Sequence, residues 1–145
     1  MFVIDDTRTI NASTEQLWQL LIDTPCYGDW NPFVVRCDSD FQPGSAIIMH
    51  VKIWQSFALR QKETVRFNKE QEFLEYGVAI PGLLKSIRQH KLQNLADNQC
   101  RYQSYFALQG PLAPFVKALM GKRLQQGFKK MTDAVEITAP EVVIK

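Results

Sequence analysis

The chain has 145 residues, of which 46% are hydrophobic and 22% are charged, and its formal net charge is +2. This length and composition are typical of a globular protein that buries its core without disulfide or metal staples. The basic residues are scattered and no apolar run approaches about 18 residues, so neither a nucleic-acid partner nor a membrane span is expected.

The first two predicted elements are a strand and a helix. Residues 2–10 alternate in polarity as a strand does, and turn residues follow them. Ser13 followed by Gln16 is a capping box, which predicts a helix from Thr14 to about Asp23. Pro25 ends this helix, because the residue before a proline is displaced from the helical region.

An aromatic-rich segment comes next. Tyr27, Trp30 and Phe33 lie among turn residues, with room for one short helical turn. Leaving such side chains in water rather than burying them costs about 1.5–3 kcal/mol each. We therefore expect them to cover either the mouth of a cavity or, as a plain hydrophobic plug, the core itself.

From Phe33 to about Leu108 the apolar residues recur with period two. Six alternating runs are separated by turn residues at 43–44, 68–69, 81–82 and 97–98. Neighbouring runs joined by short connections favour an antiparallel meander over parallel strands with helical crossovers. Together with the first strand, the meander makes about seven strands.

A long amphipathic helix is predicted from Gly110-Pro111 to about Ile137. Its apolar stripe comprises Phe115, Leu119, Leu124, Phe128, Met131 and Val135. Because Gly121 and Gly127 each cost a helix about 1 kcal/mol relative to Ala, we expect a bend or a close backbone approach to the sheet at one or both. The tail after this helix is expected to be loosely held.

The order of these elements predicts an α+β fold. A curved antiparallel sheet of about seven strands wraps around the long C-terminal helix, with one or two short helices after the first strand. No repeat, linker or low-complexity segment is present, so a single domain over residues 1–145 is expected. A sheet of this size twists strongly, and one helix does not fill its concave face, which predicts a cavity between them.

The reactive residues are sparse. Cys26, Cys37 and Cys100 form no C-x-x-C pair, and the two histidines form no H-E-x-x-H motif, so no metal site and no cofactor are expected. The cysteines are interpreted as small buried hydrophobes. Aspartates at positions 5 and 6 stand where a signal peptide would have its apolar stretch, so a cytoplasmic location is expected.

Residues 10–34, INASTEQLWQLLIDTPCYGDWNPFV, resemble the opening signature of the SRPBCC or START-like superfamily. The residues that match it are Ala12, Glu15, Trp18, Leu20, Leu21, Asp23, Tyr27, Trp30, Asn31, Pro32 and Phe33. Residues 80–92, IPGLLKSIRQHKL, are similar to the family's P-G-L segment and next strand, and residues 127–135, GFKKMTDAV, to its G-F-x-x-M-N-x-A-L ending. The resemblance implies the helix-grip fold of polyketide cyclase-like and birch-allergen-like proteins. It implies less about function, because the superfamily includes lipid carriers, cyclases, hydrolase-like enzymes and co-chaperones.

Strand parity predicts which side chains face the cavity. Bulky residues set the parity of most strands, and similarity to the family pattern sets that of the strand holding Arg88 and His90. The predicted cavity residues are Trp30, Phe33, Met49, Val51, Ile53, Glu63, Val65, Phe67, Tyr76, Arg88, His90, Tyr102, Ser104, Phe106, Phe115, Leu119 and Phe128. His50 and Trp54 face outward by the same parity, and Trp54 is either a cover for the strand end or part of a homodimer patch.

The inward polar residues have more than one interpretation. A buried Arg88 requires an anion: Glu63 on a neighbouring strand, or a carboxylate or phenolate of a ligand, unless it is exposed at the sheet edge. His90 is either a hydrogen-bonded core residue or a general base. These two and Tyr76 are the candidates for catalysis, and Tyr102 could also supply a general acid or base. Many relatives carry a polar or acidic residue late in the last long strand, in a stretch resembling H-x-E-x-F-x-G, and Phe106 stands in the place of the acid here.

The predicted cavity and the family resemblance are compatible with three alternative functions. The favoured one is binding of a small hydrophobic ligand, such as a lipid, a quinone or an aromatic polyketide-like compound. The first alternative is a cyclase or dehydratase-type enzyme that uses pocket Tyr, His and Arg residues, with no metal or covalent nucleophile. The second is a co-chaperone-like protein-interaction module, which would have a filled core rather than a void above about 300 Å³.

Overall fold

The computed structural model, which describes residues 1–144, contains one antiparallel sheet and one long helix packed against it. The strands are β1 (Phe2–Ile10), β2 (Val34–Asp38), β3 (Ala46–Trp54), β4 (Phe57–Lys69), β5 (Phe73–Gly77), β6 (Ala79–Ile80), β7 (Leu84–Ala96) and β8 (Gln99–Gln109). The helices are α1 (Thr14–Ile22), α2 (Tyr27–Trp30) and α3 (Ala113–Thr138), with single 3-10 turns at Thr24–Cys26 and Ala139–Glu141.

Seven strands lie in the spatial order β1-β8-β7-β5-β4-β3-β2, and the two-residue β6 pairs with the start of β7. Every pairing is antiparallel, so the predicted meander is confirmed. Helix α3 contacts both β1, at one edge of the sheet, and β3, near the other edge. One helix touches both because the sheet curls around it, which is the helix-grip architecture expected from the sequence.

The predicted capping box starts α1. The Gln16 backbone N–H donates to Ser13 Oγ at 3.1 Å, and the Ser13 backbone N–H donates to Gln16 Oε1 at 3.0 Å. In the next turn Asn31 Oδ1 accepts hydrogen bonds from the backbone N–H groups of Phe33 and Val34, both at 2.9 Å. These bonds fix the turn that directs Phe33 into the interior.

The space between the sheet and α3 has two halves. The closed half lies under α1 and the Ala139–Glu141 turn, and its core is fully buried: Ile10, Ile47, Val65, Leu74, Tyr102, Met131 and Val135. The open half lies between the start of α3, the β3–β4 hairpin and the β6–β7 turn. The expectation of a loose tail is wrong, because Gln16 Nε2 donates to the carbonyl oxygens of Pro140 and Val142 at 3.3 and 3.1 Å.

A β-bulge in β4 corrects the predicted face of Phe67. Val65 pairs with Tyr76, but Phe67 pairs with Glu75, so the register shifts at Arg66. The extra residue turns Phe67 to the outer face, where 58% of its surface is exposed. No helix in residues 1–144 is both long and apolar enough to cross a bilayer.

Candidate ligand cavity

A cavity of about 200 Å³ occupies the open half between the sheet and α3. Its apolar wall is formed by Phe33, Val34, Met49, Val51, Ile53, Val78, Leu84, Phe106, Leu108, Val116, Met120, Leu124 and Phe128. Its polar wall residues are Gln61, Glu63, Tyr76, Ser86 and Arg88. Val116 and Met120, on the first turns of α3, are half-buried, which places the opening beside those turns.

The structure places nine of the predicted cavity residues on this wall. They are Phe33, Met49, Val51, Ile53, Glu63, Tyr76, Arg88, Phe106 and Phe128. Gln61 and Ser86 were missed, although each lies two residues from a predicted inward residue on the same strand, so parity alone points to both.

Three predicted cavity residues are exposed instead. Phe67 faces outward because of the bulge, and Phe115 and Leu119 are 71% and 70% exposed. On α3 the inward stripe is Val116, Met120, Leu124 and Phe128. It is rotated by one residue, about 100°, from a stripe through 115 and 119.

Five other predicted residues lie off the cavity wall. Val65, His90, Tyr102 and Ser104 are buried within the sheet–helix interior but do not line the void. Trp30 is half-buried and packs edge-to-face on Tyr27, with ring centroids 5.3 Å apart. Of the aromatic segment, Phe33 reaches the cavity.

Phe33 is seated by Gly127 of α3. A Cβ atom at position 127 would overlap the Phe33 ring, so the ring lies directly against the helix backbone. The Phe33 ring also packs edge-to-face on Phe128, with ring centroids 5.0 Å apart. The ring centroids of Phe128 and Phe106 are 4.7 Å apart. A close approach at Gly127 is therefore present, although its partner is the Phe33 ring rather than the sheet, and it joins two of the three segments that resemble the superfamily.

Arg88 is buried beside this aromatic cluster. Its Nη1 donates to Ser104 Oγ at 2.6 Å and to the Tyr105 carbonyl oxygen at 3.3 Å, and its guanidinium lies 4.7 Å from the Phe128 ring centroid. The ion pair with Glu63, one of the alternatives that the sequence left open, is absent from the salt bridges of residues 1–144. The two residues are on β7 and β4, and β5 lies between these strands.

Glu63 is a buried carboxyl on the cavity wall. Burial raises its pKa to about 7, against the opposing positive charges of Arg88 and Arg66. None of the side-chain hydrogen bonds within residues 1–144 involves this carboxyl, which lies on the wall of the void without a protein hydrogen-bond partner. The cavity combines an apolar wall, a fixed positive charge and a carboxyl that titrates near neutral pH.

His90 connects two tyrosines in the closed half. Its Nε2 lies 3.1 Å from Tyr76 Oη, and its Nδ1 lies 2.6 Å from Tyr102 Oη. Burial lowers the pKa of His90 well below its ordinary value, so the imidazole is neutral, donating through one nitrogen and accepting through the other. These contacts make His90 a hydrogen-bonded core residue. Of the three hydrogen-bonded side chains, that of Tyr76 lines the void. Within residues 1–144 no cluster of three potential metal ligands is found.

Comparison with known proteins agrees with this architecture. The family described as polyketide cyclase / dehydrase and lipid transport matches residues 1–136. The chain belongs to that family. No curated protein sequence matches the chain.

Several solved structures share the fold of this chain. A START superfamily protein from Mycobacterium smegmatis has a TM-score of 0.70 at 19% identity, over 97% of this chain and 99% of that one. A protein from Arthrobacter aurescens has a TM-score of 0.72 at 15% identity, over 97% and 87%. The di-domain ARO/CYC protein BexL from the BE-7585A biosynthetic pathway has a TM-score of 0.70 at 9% identity, over 95% and 47%. Family and fold together suggest hydrophobic-ligand binding or cyclase activity.

Proposed function

We propose that this protein binds a small hydrophobic molecule in the cavity between the sheet and α3. The observation that carries the proposal is the void itself, with its apolar wall and its two charged groups. The polar residues lie at the inner end. On β7 the wall runs from Leu84 at the opening to Arg88, and on β4 from Gln61 to Glu63. A ligand would enter with its apolar part at the opening and its polar end inward.

The volume limits the size of the ligand. An engineered protein cavity of about 150 Å³ holds benzene, and sites for drug-sized ligands begin at about 300 Å³. At about 200 Å³ this cavity falls short of the void of about 300 Å³ expected for ligand binding, but it exceeds the benzene cavity, so it suits a compound of one or two rings or a short acyl chain. Among lipids, quinones and polyketide-like compounds, this volume favours the smallest molecules of each class.

The polar end of the ligand is expected to be an oxyanion or a carbonyl oxygen. A guanidinium has five N–H donors; Ser104 and Tyr105 accept from Nη1 of Arg88, and Met131 Sδ accepts weakly from Nη2 at 3.7 Å. Arg88 is therefore already oriented by the protein, with donors left for the ligand. A carboxylate or phenolate here would also balance the buried positive charge.

Native mass spectrometry of the protein as purified, followed by extraction and titration with naphthoquinone, benzoate and palmitate, tests this function. We expect a retained small compound, or saturable binding of a one- or two-ring probe and weaker binding of palmitate. Val116→Trp fills the opening and should abolish binding. Val143→Trp, at an exposed position, is the matched control. An empty protein that binds none of the three probes would contradict the proposal.

A second candidate function is catalysis of the cyclase or dehydratase type, and Glu63 favours it. A general base works best with a pKa near the operating pH, and the pKa of Glu63 is raised to about 7 within the cavity. Arg88 would stabilise an enolate oxygen formed by proton removal. In this case Glu63→Gln would abolish turnover and retain binding, whereas for a pure binding protein it would change affinity alone.

A further inference from the structure

The open half of the domain ends in a face of exposed apolar side chains, which we name the open face. It comprises Phe57 of the β3–β4 hairpin, Ile80 and Leu83 of the β6–β7 turn, and Leu112, Phe115 and Leu119 at and after the start of α3. Between 37% and 71% of each of these side chains is exposed. The Leu112 backbone N–H donates to the Leu83 carbonyl oxygen at 3.1 Å, which ties α3 to the β6–β7 turn.

The charges around the open face have one sign. The segments that form this end of the sheet and helix, residues 1–4, 51–60, 78–86 and 108–122, contain no Asp or Glu. They carry Lys52, Arg60, Lys85, Lys117 and Lys122, all exposed. All Asp and Glu residues of the chain lie outside these segments. The net charge of +2 is therefore unevenly distributed, with an excess of positive charge at the open face.

We propose that the open face docks on the surface of a membrane that contains anionic phospholipids. Apolar and aromatic tips with lysines around them match the headgroup boundary of an anionic bilayer, where the tips insert and the cations meet phosphates. A second copy of this chain fits less well, because a two-fold interface would place the same cations against one another. The exposed apolar side chains also come from three separate elements, the β3–β4 hairpin, the β6–β7 turn and α3, so several points of one face can insert into lipid.

Docking in this orientation has a consequence for the cavity. Phe115 and Leu119 on the open face alternate along α3 with Val116 and Met120 on the cavity wall. The cavity opening would therefore face the bilayer, and a hydrophobic molecule would pass between membrane and protein without crossing water. The docking itself does not depend on the proposed ligand binding.

Vesicle flotation with the full chain tests the proposal. We expect binding to vesicles of phosphatidylcholine mixed with phosphatidylglycerol, little binding to phosphatidylcholine alone, and loss of binding at high salt. Leu119→Glu should weaken binding by about tenfold or more, since it removes an inserting side chain and adds a repelled charge. Ile137→Glu is the matched control, because Ile137 lies on the same helix at the other end and is 73% exposed, against 70% for Leu119.

Two results would overturn the proposal. One is the absence of binding to the anionic vesicles by folded wild-type protein. The other is equal binding by Leu119→Glu and Ile137→Glu. A dimer seen by sedimentation velocity and dispersed by Leu119→Glu, without vesicle binding, would identify the open face as a contact between copies. Val116→Trp should retain vesicle binding while losing the ligand, so the two proposals fail separately.

Discussion

The closed and open halves of this domain are built from the same strands and the same helix, yet only one of them is filled. Ile47, Leu74 and Val135 in the closed half are almost completely buried, whereas β3 and α3 continue into a void of about 200 Å³ in the open half. The difference lies in what covers each half. Helix α1 and the Ala139–Glu141 turn close one end, and α3 alone spans the other. A curled sheet with a single covering helix is thus left partly unfilled.

Polar groups follow the same division. In the closed half, His90 has a tyrosine hydroxyl at each ring nitrogen. In the open half, the Glu63 carboxyl takes part in none of the side-chain hydrogen bonds of residues 1–144, and burial raises its pKa to about 7 against the charges of Arg88 and Arg66. The closed half therefore pairs its own polar groups, whereas the open half leaves the Glu63 carboxyl for the proposed ligand.

Two methionines of α3 provide the largest expected contrast between the halves. Met131→Ala, in the closed half, should lower the free energy of unfolding by about 2–5 kcal/mol, because it leaves a new cavity in a filled core. Met120→Ala should cost less than about 1.5 kcal/mol, since Met120 is half-buried beside an existing void. Urea unfolding of both variants measures the difference. Equal losses would show that the open half is packed as tightly as the closed one.

The Glu63 carboxyl in the open half should make the free energy of unfolding of the protein depend on pH. Between about pH 4.5 and 7 the unfolded chain releases this proton while the folded protein keeps it, so folding stability should fall as the pH rises. Glu63→Gln removes this effect. The variant should be more stable than the wild type by about 1–3 kcal/mol at pH 8, with little difference near pH 4.

Denaturant titrations over this pH range measure the Glu63 effect. Glu70→Gln is the matched control, because Glu70 is exposed. If Glu63→Gln and Glu70→Gln follow the wild-type pH profile equally, the carboxyl is not desolvated in the folded protein.

Gly127 allows the Phe33 ring to lie directly against the backbone of α3, where the ring forms part of the cavity wall. Gly127→Ala should destabilise the protein by about 1–2 kcal/mol, because the clash with the ring outweighs the better helix propensity of Ala. Gly121→Ala is the control: its nearest neighbour would be Lys117 Cγ at 3.3 Å, a flexible side chain, so its stability should be unchanged or slightly higher. Combining Gly127→Ala with Phe33→Leu should cost less than the sum of the single changes. Additivity would mean that the ring and the helix backbone are independent.

Sequence reasoning succeeded where the information is local. Period-two alternation assigned the inward faces of β3 and β8, and the capping box located the start of α1. It failed at Phe67 because the bulge at Arg66 is stabilised by distant residues: its guanidinium donates to the carbonyl oxygens of Ser86 and Val78 at 2.9 and 3.1 Å.

Two further differences, the inward face of α3 and the pairing of Arg88, also depend on tertiary structure. Positions 115 and 119 and positions 116 and 120 of α3 are all apolar, so the helix pattern does not say which pair faces inward. Pairing Arg88 with Glu63 required their strands to be neighbours, and β5 separates them. The size of the cavity follows from packing, which no residue pattern contains.

The smallest expected effect concerns how the closed half is kept closed. Gln16 completes the α1 capping box and also donates to two tail carbonyl groups, so Gln16→Ala should cost about 1 kcal/mol and loosen the tail. Amide hydrogen exchange should then rise at α1 and residues 139–143 and stay unchanged around the cavity. Gln125→Ala, on the exposed face of α3, is the control. If exchange rose equally around Glu63, the two halves would open together as one unit, and the division between them would not extend to dynamics.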